Sequence, residues 1–181
     1  IRFYDANTVN SSYLKTTNGN DVADQFMIFA VYKSTQTDGT ANSMTNSPAL
    51  VGMDVSGDLD YGVGIQNGQP YVNADNNNTF SVQSGTQYNM DEPLMVSAFR
   101  TFSGFGNFGA ININSEPPIG VSVSTTSLSS PTDFGIGNHS SPTVAAQFDG
   151  VIGDVLVFSS VKGFDERNRI ESHLALRYGI T

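Results

Sequence analysis

Residues 54–62 read Asp54-Val55-Ser56-Gly57-Asp58-Leu59-Asp60-Tyr61-Gly62, the densest acidic stretch of the chain. Carboxylates, a hydroxyl and backbone carbonyls in a short glycine-containing loop are ligands for a hard cation, and Ca²⁺ takes about six to eight such oxygens. The spacing is not that of an EF-hand, which closes with a glutamate at its last position. The plainer alternative is a hairpin whose aspartates are solvated. Asp58 and Asp60 are the leading candidate metal ligands, with Asp54 in reserve. A second oxygen-rich stretch, Asn73-Ala74-Asp75-Asn76-Asn77-Asn78, adds Asp75 to that reserve. Its amides carry donor and acceptor together, which suits vicinal sugar hydroxyls, so Asn77 is a candidate sugar contact. The alternative for this stretch is an ordinary turn.

Asn138 and His139 sit in a third polar segment, Gly137-Asn138-His139-Ser140. A neutral imidazole can hold a metal or a ligand. Tyr61, and Phe105 within Ser103-Gly104-Phe105-Gly106, are rings that could meet the apolar face of a sugar. There is no tryptophan, so a flat indole platform for polysaccharide is excluded. Any sugar site would be a small pocket built on polar contacts.

Catalytic chemistry finds little support. The four glutamates, Glu92, Glu116, Glu166 and Glu171, form no paired pattern of the kind that flanks a glycosidic bond. A Ser-His-Asp triad would rest on His139 alone, and no nucleophile elbow, phosphate loop or dinucleotide fingerprint occurs. The chain is expected not to be an enzyme.

Charge narrows the partners. The net charge is −9, and between Ser34 and Val161 eleven acids face Arg100 alone. A nucleic-acid binder needs a basic stripe to neutralise phosphates, so the charge argues against nucleic acid and anionic membranes and none is expected as a partner. No apolar run is long enough for a spanning helix, so no membrane insertion is expected. The absence of cysteine excludes disulfides and thiolate chemistry.

These side chains must be positioned by strands. Charged residues make up only 14% of 181, with polarity carried by Asn, Ser, Thr and Gly; long helices favour other residues. Short apolar or alternating runs at 25–33, 49–53, 61–66, 70–73, 79–83, 94–100, 108–114, 119–123, 133–136 and 151–158 are separated by turn residues. Asn67-Gly68 is the best hairpin signal among them. About ten short strands with frequent turns predict a two-sheet antiparallel sandwich or jelly roll. One helix is expected over 165–177, with Ile170, Leu174 and Tyr178 on one face and Gly179 just past its end.

The C-terminal third resembles a known family. Phe148-Asp149-Gly150-Val151-Ile152-Gly153-Asp154-Val155-Leu156-Val157-Phe158 is similar to a strand of laminin-G-like, concanavalin A-like modules. Glu166 through Ile180, read E-R-N-R-I-E-S-H-L-A-L-R-Y-G-I, resembles the closing helix of bacterial versions. Arg2-Phe3 and the run at 25–33 resemble their opening segment. The sequence departs at His173, where an aromatic is usual, and at Gly163-Phe164, where a Ser or Thr cap is usual.

The resemblance implies an all-β sandwich with one short C-terminal helix, occupying residues 1–181 as a single domain. It implies a secreted or cell-surface setting, in bacteria among large adhesins, with neighbouring domains in a longer chain. It also implies glycan or protein binding at a loop rim, often with Ca²⁺, and places Asn138 where a polar residue joins that metal. The expected function is therefore a lectin module that binds a glycan on a host or neighbouring cell. Its site would draw on Asp54, Asp58, Asp60, Asp75 and Asn138 for the metal, and on Asn77, Asn138, His139, Tyr61 and Phe105 for the sugar. The alternative is a structural spacer or protein-interaction module with the same fold.

Overall fold

The computed structural model describes residues 2–3, 13–15, 25–35, 46–53, 61–74, 81–103, 106–124, 134–139 and 147–181. Among these residues twelve strands and one helix follow in order. They are β1 (Arg2–Phe3), β2 (Leu14–Lys15), β3 (Phe26–Ser34), β4 (Ala49–Met53), β5 (Tyr61–Gln66), β6 (Gln69–Asn73) and β7 (Val82–Gln83). Then come β8 (Leu94–Ser103), β9 (Gly106–Ile113), β10 (Ile119–Val123), β11 (Gly135–Ile136), β12 (Gly150–Phe158) and α1 (Phe164–Tyr178). They form two six-stranded sheets, in the orders β1-β12-β3-β8-β9-β10 and β2-β11-β4-β5-β6-β7. Every strand pair is antiparallel. This is the expected jelly-roll sandwich of the laminin-G-like, concanavalin A-like type.

Alternation along β3 explains its composition. Phe26, Ile28, Ala30 and Tyr32 point into the core between the sheets, with Val63, Ile65, Val72, Val96 and Ile111 among their neighbours. Met27, Phe29 and Val31 point outward, where Leu174, Ile170 and Tyr178 of α1 cover them. A strand buried on both faces needs no polar alternation, which is why 25–33 reads as one continuous apolar run.

The helix ends as expected. Gly179 takes the left-handed conformation at φ 67°, and its N–H bonds the Ala175 carbonyl. Gly163 at the other end supplies no side-chain cap. Beside Tyr178, β12 carries a bulge between Ile152 and Val155. Gly153 lies at that bulge, and an added Cβ would come within 2.7 Å of the Tyr178 ring. β1 and β2 were not expected as strands; two residues carry no periodicity, and their conformation comes from pairing with β12 and β11.

Candidate functional site

The sandwich has two open ends. At one, Met53 pairs with Tyr61, β6 leaves through Ala74, and β8 and β9 meet at Ser103 and Gly106. The Phe26–Tyr61 ring stack, 5.0 Å between centroids, joins the two sheets there. Asp54, Asp58, Asp60, Asp75, Asn77 and Phe105 belong to segments that these strands enter or leave, and those six residues lie outside the described ones.

The described candidates are corrected by their burial. Tyr61 is 2% exposed and packs on Phe26 in the core, with its phenol pKa raised by burial. It presents no ring to a ligand. The reason is legible in Tyr61-Gly62-Val63-Gly64-Ile65: Tyr61 shares a strand face with Val63 and Ile65, and that face is the inner one. Asn138 and His139 are 1% and 0% exposed, so neither is a rim contact. Asn138 turns its Oδ1 to accept the His139 N–H at 2.8 Å. Gly137, at φ 82°, bends the chain back over β4 and β11, and His139 bridges to Gly52. The imidazole fills the space a Gly52 side chain would need, since a Cβ there would lie 2.1 Å from Nδ1. Among the described residues no group of three His, Cys, Asp or Glu is placed to hold a metal ion. Asn138, the one described metal candidate, is buried with its Oδ1 on the His139 N–H, and the aspartates it was expected to join lie outside the described residues.

The opposite end holds a furrow that the sequence reasoning missed. Residues 84–93 connect β7 in one sheet to β8 in the other and cross the end of the sandwich. Backbone bonds stitch this connector to both sheets: Ser84 N–H to Pro70 O at 2.8 Å, Tyr88 N–H to Gly68 O at 3.1 Å, and Asp91 N–H to Ser34 O at 3.0 Å. Asp91 takes positive φ, 69°, where the connector turns toward β8. The expected Asn67-Gly68 turn also has positive φ at both residues, 51° and 72°. That is the twist a two-residue hairpin requires.

Two hollows open on this surface and share Gln87 and Tyr88 as their common wall. One, about 360 Å³, is bounded further by Asn89, Glu92, Asn114 and Ile180. The other, about 400 Å³, lies toward Asn67 and Gly68. Both fall in the size range of small-ligand pockets. The Tyr88 ring is half-buried, packed against the edge of the main core. Its hydroxyl donates to Glu116 Oε2 at 3.3 Å. Burial first, then the Glu116 carboxylate, raises the phenol above its ordinary pKa, so Tyr88 stays a neutral donor.

The amides around the ring are held as well. Gln87 Nε2 donates to Asn67 O at 3.0 Å. Asn114 Oδ1 accepts the Met95 N–H at 2.9 Å. Asn89 Nδ2 reaches Glu92 Oε1 at 3.5 Å, the outer limit of a hydrogen bond. The result is one fixed aromatic ring bordered by carboxamides and two carboxylates. Such a surface can meet an apolar ring face while offering donors and acceptors to hydroxyls. The only sequence signal was the density of Gln, Tyr, Asn and Glu in 87–92.

No family model matches the chain, and no curated protein matches it. Similar solved structures share the fold at low identity. A heptameric SAP-like pentraxin from Limulus polyphemus is 13% identical, with a TM-score of 0.68 over 94% of this chain and 80% of its own. Domains LG4-5 of the mouse laminin α1 chain are 13% identical, with a TM-score of 0.62 over 86% of this chain and 40% of theirs. The CBM40 of the Ruminococcus gnavus IT-sialidase, bound to α2,3 sialyllactose, is 16% identical, with a TM-score of 0.61 over 83% of this chain and 84% of its own.

Proposed function

We propose that this chain is a non-catalytic carbohydrate-binding module that takes an oligosaccharide along the Tyr88 furrow. The observation that carries the reading is the convergence of one fixed ring with the carboxamides of Gln87, Asn89 and Asn114 beside two adjoining hollows. A sugar chain presents the matching surface, with C–H faces for the ring and hydroxyls for amides and carboxylates. Two hollows across one ring suit at least two sugar units. The sialyllactose-bound CBM40 and the putative carbohydrate-binding protein of Bacteroides ovatus, on similar sandwiches, support the reading by analogy of fold.

The finer parts of the proposal rest on the sequence. We place the module on the surface of a bacterium or in a secreted multidomain protein such as an adhesin, where it meets glycan on a host or neighbouring cell. Calcium enters the proposal through Asp54, Asp58, Asp60 and Asp75, either ordering their segments or bridging to sugar with Asn77 and Phe105. The described residues supply no cage for it, so no step of recognition at Tyr88 is assigned to the metal. No helix among the described residues is long and apolar enough to cross a membrane.

Glycan-array binding of the full chain, followed by calorimetry on the best ligands, tests the reading. Tyr88→Ala is expected to weaken binding about tenfold or more, as loss of a central aromatic contact does, whereas Tyr88→Phe keeps the ring and most of the affinity. Because Tyr88 also packs on the core, Gln87→Ala and Asn89→Ala, both at exposed side chains, serve as variants that leave the fold intact and are expected to weaken binding. Array binding that all four variants leave unchanged would move the site elsewhere. No binding to any glycan would favour the spacer reading.

A further inference from the structure

We infer that the Tyr88 furrow selects uncharged or amino sugars and rejects acidic ones, an inference that rests on the carbohydrate reading above and names its ligand class. It follows from where the charges of this chain lie. Seven of the eight lysines and arginines have described side chains, and none of those seven lines either hollow. Neither histidine does: His139 is buried against Gly52, and His173 is on the exposed side of α1.

Four of the cations are committed to partners. Lys33 pairs with Asp91 of the connector at 3.4 Å, so that pair adds no net charge beside the furrow. Arg100 is fully buried and donates to Ser124 O at 2.9 Å. It lies six residues along β8 from Leu94, about 20 Å away at strand rise. Arg177 bonds Asp154 at 3.0 Å, and Arg167 lies against Glu171 at 3.7 Å.

The furrow itself carries negative charge. Glu92 is part of the wall of the hollow of about 360 Å³, and the Glu116 carboxylate is held at the Tyr88 hydroxyl. A uronate or sialate carboxylate entering here would meet two like charges and, among the described side chains of the walls, no compensating guanidinium or ammonium, the arrangement that interfaces use to refuse a partner. A hydroxyl meets acceptors it can donate to, and a protonated amine on the sugar meets charge it can pair with. Acceptors of this kind favour hydroxyl-rich neutral chains and glucosamine-type units.

The test is a disaccharide matrix on the full chain: glucose, galactose and mannose skeletons, each in neutral, amino and uronic form, titrated at low and physiological salt. For every skeleton that binds, the neutral or amino form is expected to bind at least about fivefold tighter than the uronic form at low salt. The gap should narrow toward physiological salt, where the screening length is about 8 Å. Glu92→Gln with Glu116→Gln, which keeps an acceptor for the Tyr88 hydroxyl, is expected to bring the uronic form within about twofold of the neutral one, the like-charge cost having gone. Uronic forms binding as tightly as neutral ones in the native chain would overturn the charge selection and leave the carbohydrate reading standing. No binding by any form would overturn both.

Discussion

Ser97 on β8 donates its hydroxyl to Glu171 on α1 at 2.7 Å, a buried bond between residues 74 positions apart. Glu171 is 2% exposed, and Arg167 one turn earlier approaches the same oxygen. The bond fixes the rotation of the helix on the outer face of its sheet, within the apolar contacts of Leu174, Met95 and Phe29. Ser97→Ala leaves a buried carboxylate short of a donor and is expected to cost about 1–3 kcal/mol. Leu174→Ala should cost about 2–5 kcal/mol through its cavity. Urea denaturation of the two variants checks both, and a neutral Ser97→Ala would mean that Arg167 alone satisfies the carboxylate.

Tyr32, Tyr61 and Tyr71 are buried tyrosines whose phenols are all pushed well above the ordinary value of about 10 by burial. Unfolding lets them ionise at that ordinary value. Above about pH 10 the native state therefore holds protons that the unfolded state has lost, and stability falls as pH rises. Below that pH the contribution is complete. Thermal melts between neutral pH and about pH 11 should show the decline beginning near the ordinary tyrosine value. Tyr61→Phe should make it shallower. A melting temperature flat through this range would contradict the burial of these rings.

Gly64 is occupied space without a side chain. An added Cβ would lie 2.3 Å from the Pro48 carbonyl oxygen and 2.5 Å from the Tyr71 hydroxyl. Since the first of these is backbone, Gly64→Ala is expected to destabilise by about 1–3 kcal/mol, which for a chain of this size is roughly 2–4 °C per kcal/mol. Gly85 has nothing within 4 Å of such a Cβ, and Gly85→Ala should be neutral or slightly stabilising. Paired melts of the two variants separate a packing role from a general dislike of alanine in strands and loops.

The calcium proposal predicts that a chelator lowers the melting temperature and that Ca²⁺ restores it. A site filled at a hundred times its Kd adds about 2.7 kcal/mol. Asp58→Asn with Asp60→Asn should abolish the response, while Asn138→Ala should leave it in place, since that side chain is engaged with the His139 N–H. An unchanged melt would remove calcium from the proposal and leave the Tyr88 furrow untouched.

The fold was legible because its signals are local. The continuous run at 25–33, the Asn67-Gly68 turn and the Ile170, Leu174, Tyr178 stripe each fix an element within a few residues. Tyr61 was legible too, through its alternation with Val63 and Ile65, yet its chemistry as a ring drew it into the site. Asn138 and His139 could not be placed, because their burial depends on a reversal at Gly137 and on Gly52, 85 positions earlier. The Tyr88 furrow depends on topology alone. Residues 67–68, 84–93 and 114–116 become neighbours only because the connector changes sheets across one end.

β3 is enclosed by β12 and β8 at its edges, by the opposite sheet on one face and by α1 on the other. Its amides therefore have no route to solvent short of separating the two halves of the molecule. In deuterium exchange they should be the last to label, at the rate set by global opening, while the two-residue β1 and β2 label early. The helix that shields β3 also brings Gly179 and Ile180 to the furrow wall. Slow labelling at the sheet centre and the shape of the furrow are thus set by the same docked segment, so a loosened helix would register in both.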